Sequence, residues 1–431
     1  MPTSTSVEIH PEPVKAPTQP LCAYGMDADL LLCCALDVAV QTLKCGGEIN
    51  RVEETIIRIC HGYGASHVEV SAITSLIHAT VRMPDGELSS QMRRIAIGGN
   101  DLGQLERCNA LSRRICEQKL DYDTIQAEVR KLKSRAAQPL WEDLTGAMLT
   151  IGGFAVFFGG TLYDGVAAAA IGILMALLSR YAMPFANHFA RTLLQSVLGS
   201  VLAYAAVAIG FGNNVDKVMI GTIMYVIPGL ALGTALRDLL SDDTLSGVMR
   251  LFRSLLIAVT IALGYTAGIY LYGEGQAFSY ELNTLPMMLI MSLIGPLGVA
   301  LMYRVRAVHL PLILVGSEMS FVVYYLFTLL FDGQFFPNFI ATIAVGFFAR
   351  VCAKKGKFPA VIISVPAIMP LLPGGILYYT MHNLMFGQGQ EALMCASRTL
   401  SIALGIAAGE VAVSLIYMAI RSAREKIRER I

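Results

Sequence analysis

From residue 144 onward the chain is a succession of apolar segments separated by short polar connections. The pattern predicts ten membrane-spanning helices at about 144–162, 165–180, 189–211, 217–236, 248–272, 285–303, 309–331, 336–353, 358–380 and 398–420. Residues 27–138 read differently. LLLCCALDVAVQTLKCGGEI predicts a helix stopped at Gly46-Gly47, followed by a second helix capped by Asn50 and ended at Gly62 or Gly64. β-like runs at 67–84 and 87–97 flank the turn residues Pro84-Asp85-Gly86, and two more helices follow at about 102–118 and 122–135. The expected fold class is therefore an α-helical multi-pass membrane protein preceded by a small α+β cytoplasmic domain, residues 27–138.

Basic residues fall on alternate connections. One set holds Arg180 and Arg191; Arg237, Arg250 and Arg253; Arg304 and Arg306; then Arg350, Lys354, Lys355 and Lys357, with the tail RSAREKIRER. The other set comprises Tyr163-Asp164, GNNVDK, YGEGQAFSYELN, FDGQFFPN and HNLMFGQGQE, with one Lys among them. By the positive-inside rule the first set faces the cytoplasm, which places both termini there and the chain in the plasma (inner) membrane.

The segment YVIPGLALGTALRD recurs. Pro228-Gly229 aligns with Pro373-Gly374, Asp238 with Asn383 and Arg253 with Arg398, each pair 145 residues apart, without a gap. RSLLIAVTIALG against RTLSIALGIAAG shares Leu255/Leu400, Ile257/Ile402, Ala258/Ala403, Ile261/Ile406, Ala262/Ala407 and Gly264/Gly409. Two membrane halves, 139–273 and 274–420, are expected, and five spans in each turn the second upside down relative to the first. Inverted repeats of this kind are the architecture of secondary transporters. No P-loop appears in the soluble part, so nothing supports ATP-driven transport.

Composition agrees: of 431 residues, 55% are apolar and 15% charged. A net charge of +1 and the lack of an aromatic-plus-basic patch argue against nucleic acid. Nine cysteines without CxxC or Cys/His spacing suggest reduced structural thiols, no metal site and no cofactor. Residues 1–26, rich in Pro, Ser and Thr, read as a disordered tail without signal-peptide character, and 421–431 as a basic cytoplasmic tail. No catalytic set surrounds His61, His67 or His78, so no enzyme is expected.

Proline removes a backbone donor and glycine lets the chain unwind, so a Pro-Gly pair inside a span is tolerated where it lines a cavity or is buried in protein. The fourth and ninth spans are thus the candidate substrate-lining pair, through Pro228, Gly229, Thr234, Asp238, Pro373, Gly374 and Asn383, with Pro366 and Pro370 distorting the ninth further. Glu318 and Glu410 lie within spans, and Asp238 at an inner mouth. An apolar setting favours the protonated carboxyl, which suits these three to carrying a coupling proton; the plain alternative is a buried carboxyl bonded to Ser or Tyr. In the soluble part, Glu54 and Arg58 lie four apart on a helix beside Gly47, Glu48, Arg51 and Glu53, a charge-laced face suited to structure or docking, with gating as the alternative.

GGEINRVEETIIRICHGYG, PGLALGTALRDLLSDDTLSGVMR and FPAVIISVPAIMPLLPGG resemble the threonine/serine exporter family, over nearly the whole chain from about residue 27. The matching positions are Gly47, Arg51, Glu53, Arg58, Pro228, Gly229, Asp238, Gly247, Arg250, Pro373 and Gly374. The chain departs at Ala231 and Thr234, where relatives often carry proline and asparagine. The resemblance implies ten helices, a cytoplasmic domain and efflux of threonine and serine driven by the proton-motive force; two-protein relatives are linked to dicarboxylate (succinate) export. The expected partners are such a small solute, protons and the lipid bilayer, with a homo-oligomer compatible with the sequence. A membrane-anchored sensor or hydrolytic module using residues 27–138 is the alternative from another class.

Overall fold

The computed structural model describes residues 26–428 apart from 96–98, 100, 135–137, 184–186, 228–234, 236–237, 240–243 and 273–282; the side chains of 269, 271–272 and 421–428 also lie outside the description. The chain begins with α1 (Ala28–Lys44) and α2 (Ile49–Gly62), then strands β1 (His67–Ile73), β2 (Leu76–Arg82) and β3 (Leu88–Arg94), then α3 (Leu102–Gln118) and α4 (Tyr122–Lys133). Asp27 caps α1 by accepting from the Leu30 N–H at 2.7 Å. The helix ends in a Schellman turn: Gly47 N–H reaches the Thr42 carbonyl and Gly46 N–H that of Leu43, with Gly46 at φ 91°. Asn50 is not the cap of α2. The fully buried Ile49 is already helical and Glu48 precedes it in extended conformation, so Asn50 is the second helical residue.

The run at 67–84 is a hairpin rather than one strand, turning at Thr74-Ser75 between Ile73 and its partner Leu76. Strand β2 then pairs antiparallel with β3, closing the sheet order β1-β2-β3. Alternation puts Ala72, Ile77, Ala79 and Val81 on the face that packs with Leu31, Leu32, Ile56 and Ile59 of α1 and α2.

The remaining elements are α5 (Leu140–Phe157), α6 (Leu162–Tyr181), α7 (His188–Ala208), α8 (Val215–Val226), α9 (Thr244–Tyr272), α10 (Leu285–Met302), α11 (Leu310–Thr328), α12 (Phe335–Gly356), α13 (Val361–Ile368), α14 (Gly374–Met385) and α15 (Gly389–Arg428). Among the described residues, seven of these helices are long and apolar enough to cross a membrane, and an eighth span is the bent pair of segments 361–371 and 374–385. The other two expected spans correspond to α5, with Glu142 and Asp143 in its first turn, and to α8, twelve residues that end just before Pro228. Helix α15 runs without interruption into what the sequence presented as a tail.

The element boundaries repeat. Shifting α5 by 145 residues lands on α10 at both ends, α9 begins 145 residues before α15, and α8 maps onto 360–371, which is α13 and its 3₁₀ extension Met369–Leu371. Helices α5 and α10 are antiparallel: Gly146 lies against Met302, Gly153 against Gly295, and Asn283, just before α10, donates to the Val156 carbonyl at the far end of α5. Gly298 has no room for a Cβ because the Thr150 backbone occupies that space. The Thr150–Gly298 contact becomes the Gly295–Gly153 contact under the same shift, as a two-fold axis between the helices requires.

Helix α3 seats the first part on the membrane part. Leu102 donates to the Tyr303 carbonyl at 2.9 Å, Asp101 pairs with Arg304 at 3.2 Å, and Glu106 meets Arg306 at 3.0 Å and His309 at 3.1 Å. Leu102 and Leu105 pack with Val305, Ile313, Phe358 and Ile362 beneath them.

Candidate functional site

The ninth predicted span is broken at Pro373-Gly374, where its two segments diverge by 48°. Pro370 and Pro373 cannot donate to the preceding turn, so carbonyls at the end of α13 need other partners. Ser320 of α11 supplies one, donating to the Ala367 carbonyl at 2.7 Å. Pro373 stands at the cap of α14, and Gly374 opens the helix against α8.

Helices α8 and α14 run antiparallel across this point. Gly374 abuts the Met224 sulfur so closely that a Cβ would overlap it, and that Cβ would lie 3.9 Å from Ile227, the residue before Pro228. Gly375 packs over Ile220, and Tyr378 reaches the Met219 sulfur at 3.8 Å. The half-helix ending at the first Pro-Gly pair thus lies against the half-helix starting at the second. Pro228, Gly229, Thr234 and Ala231 themselves lie outside the described residues.

At the other end of this contact lies a buried charge pair that the sequence reading passed over. Asp216 and Lys217, 7% and 4% exposed, stand in the first turn of α8 rather than in an open connection. Lys217 Nζ lies 3.5 Å from Asp216 Oδ2 and donates to the Tyr379 hydroxyl at 3.2 Å. That hydroxyl donates to Asp216 Oδ2 at 3.1 Å. Removing both charges from water is costly unless they are paired and hydrogen-bonded, as they are. The signal in the sequence was the adjacent pair of opposite charges opening an apolar run.

The other expected residues fall into separate groups. Asp238 is buried with its Oδ2 3.1 Å from Arg250 Nε. Asn383, also buried, donates to Cys395 Sγ at 3.9 Å. Glu318 of α11 is half-buried and accepts from the Ser292 hydroxyl of α10 at 2.7 Å, while Ser317 donates to the Ser292 carbonyl at 2.6 Å. Glu410, half-buried on α15, accepts at its backbone carbonyl from Ser414 at 3.1 Å. In the first part of the chain, Glu53 accepts from the Ala72 N–H at 2.9 Å and ties α2 to β1, Glu54 and Arg58 form an exposed pair at 3.4 Å, and the Arg51 carbonyl accepts from Thr55. A Cβ on Gly47 would lie 2.7 Å from the Thr42 carbonyl, so the glycine is required by the turn.

Spanning helices in succession, one of them broken, and charges buried between half-helices define a multi-pass membrane protein of transporter type. A family model for threonine/serine exporters matches residues 34–272, more than half of the chain, and a second, described as "Threonine/Serine exporter, ThrE", matches 288–416. The chain belongs to the threonine/serine exporter family. It is 23% identical over 367 residues to a Mycobacterium tuberculosis protein named "Probable threonine/serine exporter", covering 79% of this chain and 68% of that protein. It is 25% identical over 291 residues to the "Threonine/serine exporter" of Corynebacterium glutamicum, covering 62% of this chain and 57% of that protein. An uncharacterized protein of Schizosaccharomyces pombe is 22% identical over 294 residues, 64% of this chain and 35% of its own length. The chain therefore spans about a third to two thirds of these relatives. No solved structure matches it.

Proposed function

We propose that the protein is a secondary active exporter of small amino acids, threonine and serine first, whose substrate site lies where the half-helices α8 and α14 meet. The observation that carries this reading is the antiparallel contact of Gly374 with Met224 and Ile227, which sets the two interruptions side by side. Cut helix ends present partial charges and free backbone groups to a small polar solute. The constant shift of 145 residues between α5 and α10, and between α9 and α15, supports ten spans arranged as two inverted halves of five. Seating of the α3 unit on the Arg304–Arg306 connection supports a cytoplasmic position for that unit and for both termini in the plasma membrane. Glu318, bonded to Ser292, is the first candidate for the coupling proton, with Glu410 and Asp238 beside it. Gly47, Glu48, Arg51, Glu53 and Arg58 act as scaffold for the unit. The test is efflux of labelled threonine or serine from proteoliposomes holding the purified protein under an imposed pH gradient; the absence of gradient-dependent movement of either solute overturns the reading.

A further inference from the structure

Asp216 and Lys217 are placed where stability alone gives little reason for charge. Their repeat equivalents, 145 residues on, are Val361 and Ile362, which are buried and apolar at the same point of the second half. The fold thus accepts an aliphatic pair there, and a buried ion pair is at best weakly stabilising compared with apolar packing. Gly160 leaves the space that the Lys217 stem fills: a Cβ on that glycine would stand 3.1 Å from Lys217 Cβ. The partner, Tyr379, comes from the half-helix of the opposite repeat and is the equivalent of Thr234, the position singled out in the sequence as a determinant of specificity. One cation and one anion, about 3.5 Å apart and bridged by a phenol, present the two charges of an amino acid in mirror image.

We infer that Asp216, Lys217 and Tyr379 read the zwitterion: the α-carboxylate of the solute replaces Asp216 on Lys217, and its α-ammonium takes Asp216. This inference rests on the export reading above. In the occluded state described here the two side chains satisfy each other, with the Tyr379 hydroxyl linking them. Movement of α14 along α8 at the Gly374 contact separates Tyr379 from the pair and admits the solute. A zwitterion keeps both protein charges compensated throughout, which a dicarboxylate does not, because its second carboxylate would face Asp216. The site therefore selects free amino acids over dicarboxylates and over amino acids blocked at either end.

The experiment uses the full-length protein in proteoliposomes and measures inhibition of labelled serine transport by serine, N-acetylserine, serine methyl ester and succinate. Wild type is expected to prefer serine over each of the other three. Asp216→Asn should narrow the preference against N-acetylserine by about 10-fold or more while leaving that against the ester; Lys217→Gln should do the reverse, each reflecting one lost charge-assisted bond. A milder variant, Tyr379→Phe, keeps the packing and should raise the KM for serine several-fold with little change in the maximal rate; it also decides the matter if either charge variant fails to fold. Equal effects of both charge variants on all four compounds, an unchanged KM in Tyr379→Phe, or a wild type that prefers succinate overturns the inference while leaving export intact. A wild type that moves no serine overturns the export reading itself.

Discussion

Arg250 Nε lies 3.1 Å from a buried Asp238 carboxylate oxygen, and the residues 145 positions on, Cys395 and Asn383, touch in the same way through an amide and a thiol. One half of the repeat thus carries an ion pair where the other carries a neutral contact. Arg250→Ala leaves a buried carboxylate without its cation and should destabilise by about 3–5 kcal/mol. Asp238→Asn combined with Arg250→Cys copies the second half and should recover most of that loss. Thermal unfolding in detergent checks both, and serine efflux reports whether the charges themselves are needed for transport.

Close approach of α5 to α10 makes a second prediction. The Thr150 backbone fills the place of a side chain at Gly298, whereas Gly389 has nothing within 4 Å. Gly298→Ala should therefore cost about 1–3 kcal/mol through overpacking, and Gly389→Ala should be close to neutral. Comparison of their unfolding midpoints tests this.

The break in the ninth span was legible because its causes are local: Pro366, Pro370 and Pro373 cannot donate, and Gly374 fits against Met224 only without a side chain. The register of the repeat was legible for the same reason, since landmark residues carry it. The hairpin at Thr74-Ser75 was hidden because neither residue is a turn former of the Gly, Asn or Pro kind. Lys217 was hidden for a different reason. Its burial comes from Tyr379, 162 residues further along the chain, and a charge beside an Asn-rich connection reads as solvated until that partner is in place. The Asp216–Lys217–Tyr379 group is thus a product of tertiary structure, while the Pro-Gly pairs are not.

Glu106 connects α3 to both Arg306 and His309. Glu106→Gln removes the charge that holds these cations and should weaken the seating of the first unit by about 1–3 kcal/mol without unfolding its core, to which Glu106 does not belong. The expected result is faster hydrogen exchange in α3 and easier proteolysis near residue 135, with exchange in α1 and α2 unchanged. Equal exchange in α3 of variant and wild type would show that the apolar contacts of Leu102 and Leu105 suffice.

Burial pushes the Cys34 and Cys60 thiols up from 9.0 to about 12. For Cys34, the hydrogen bond from Gln126 opposes part of that rise. A raised thiol pKa means that the folded state holds its proton where the unfolded chain releases it. The associated stability is therefore complete below pH 9 and is lost progressively as the pH climbs from about 9 towards 12. Wild type should accordingly show a falling Tm across that window, and Cys34→Ala with Cys60→Ala should flatten the fall, although the small cavities left behind lower the Tm at pH 8. Tm measured from pH 8 to 11 in the two backgrounds decides it: parallel curves would assign alkaline loss of stability to other groups. The same burial makes both thiols slow to alkylate at pH 8 in the folded protein and fast in denaturant, where the thiolate forms near the ordinary value.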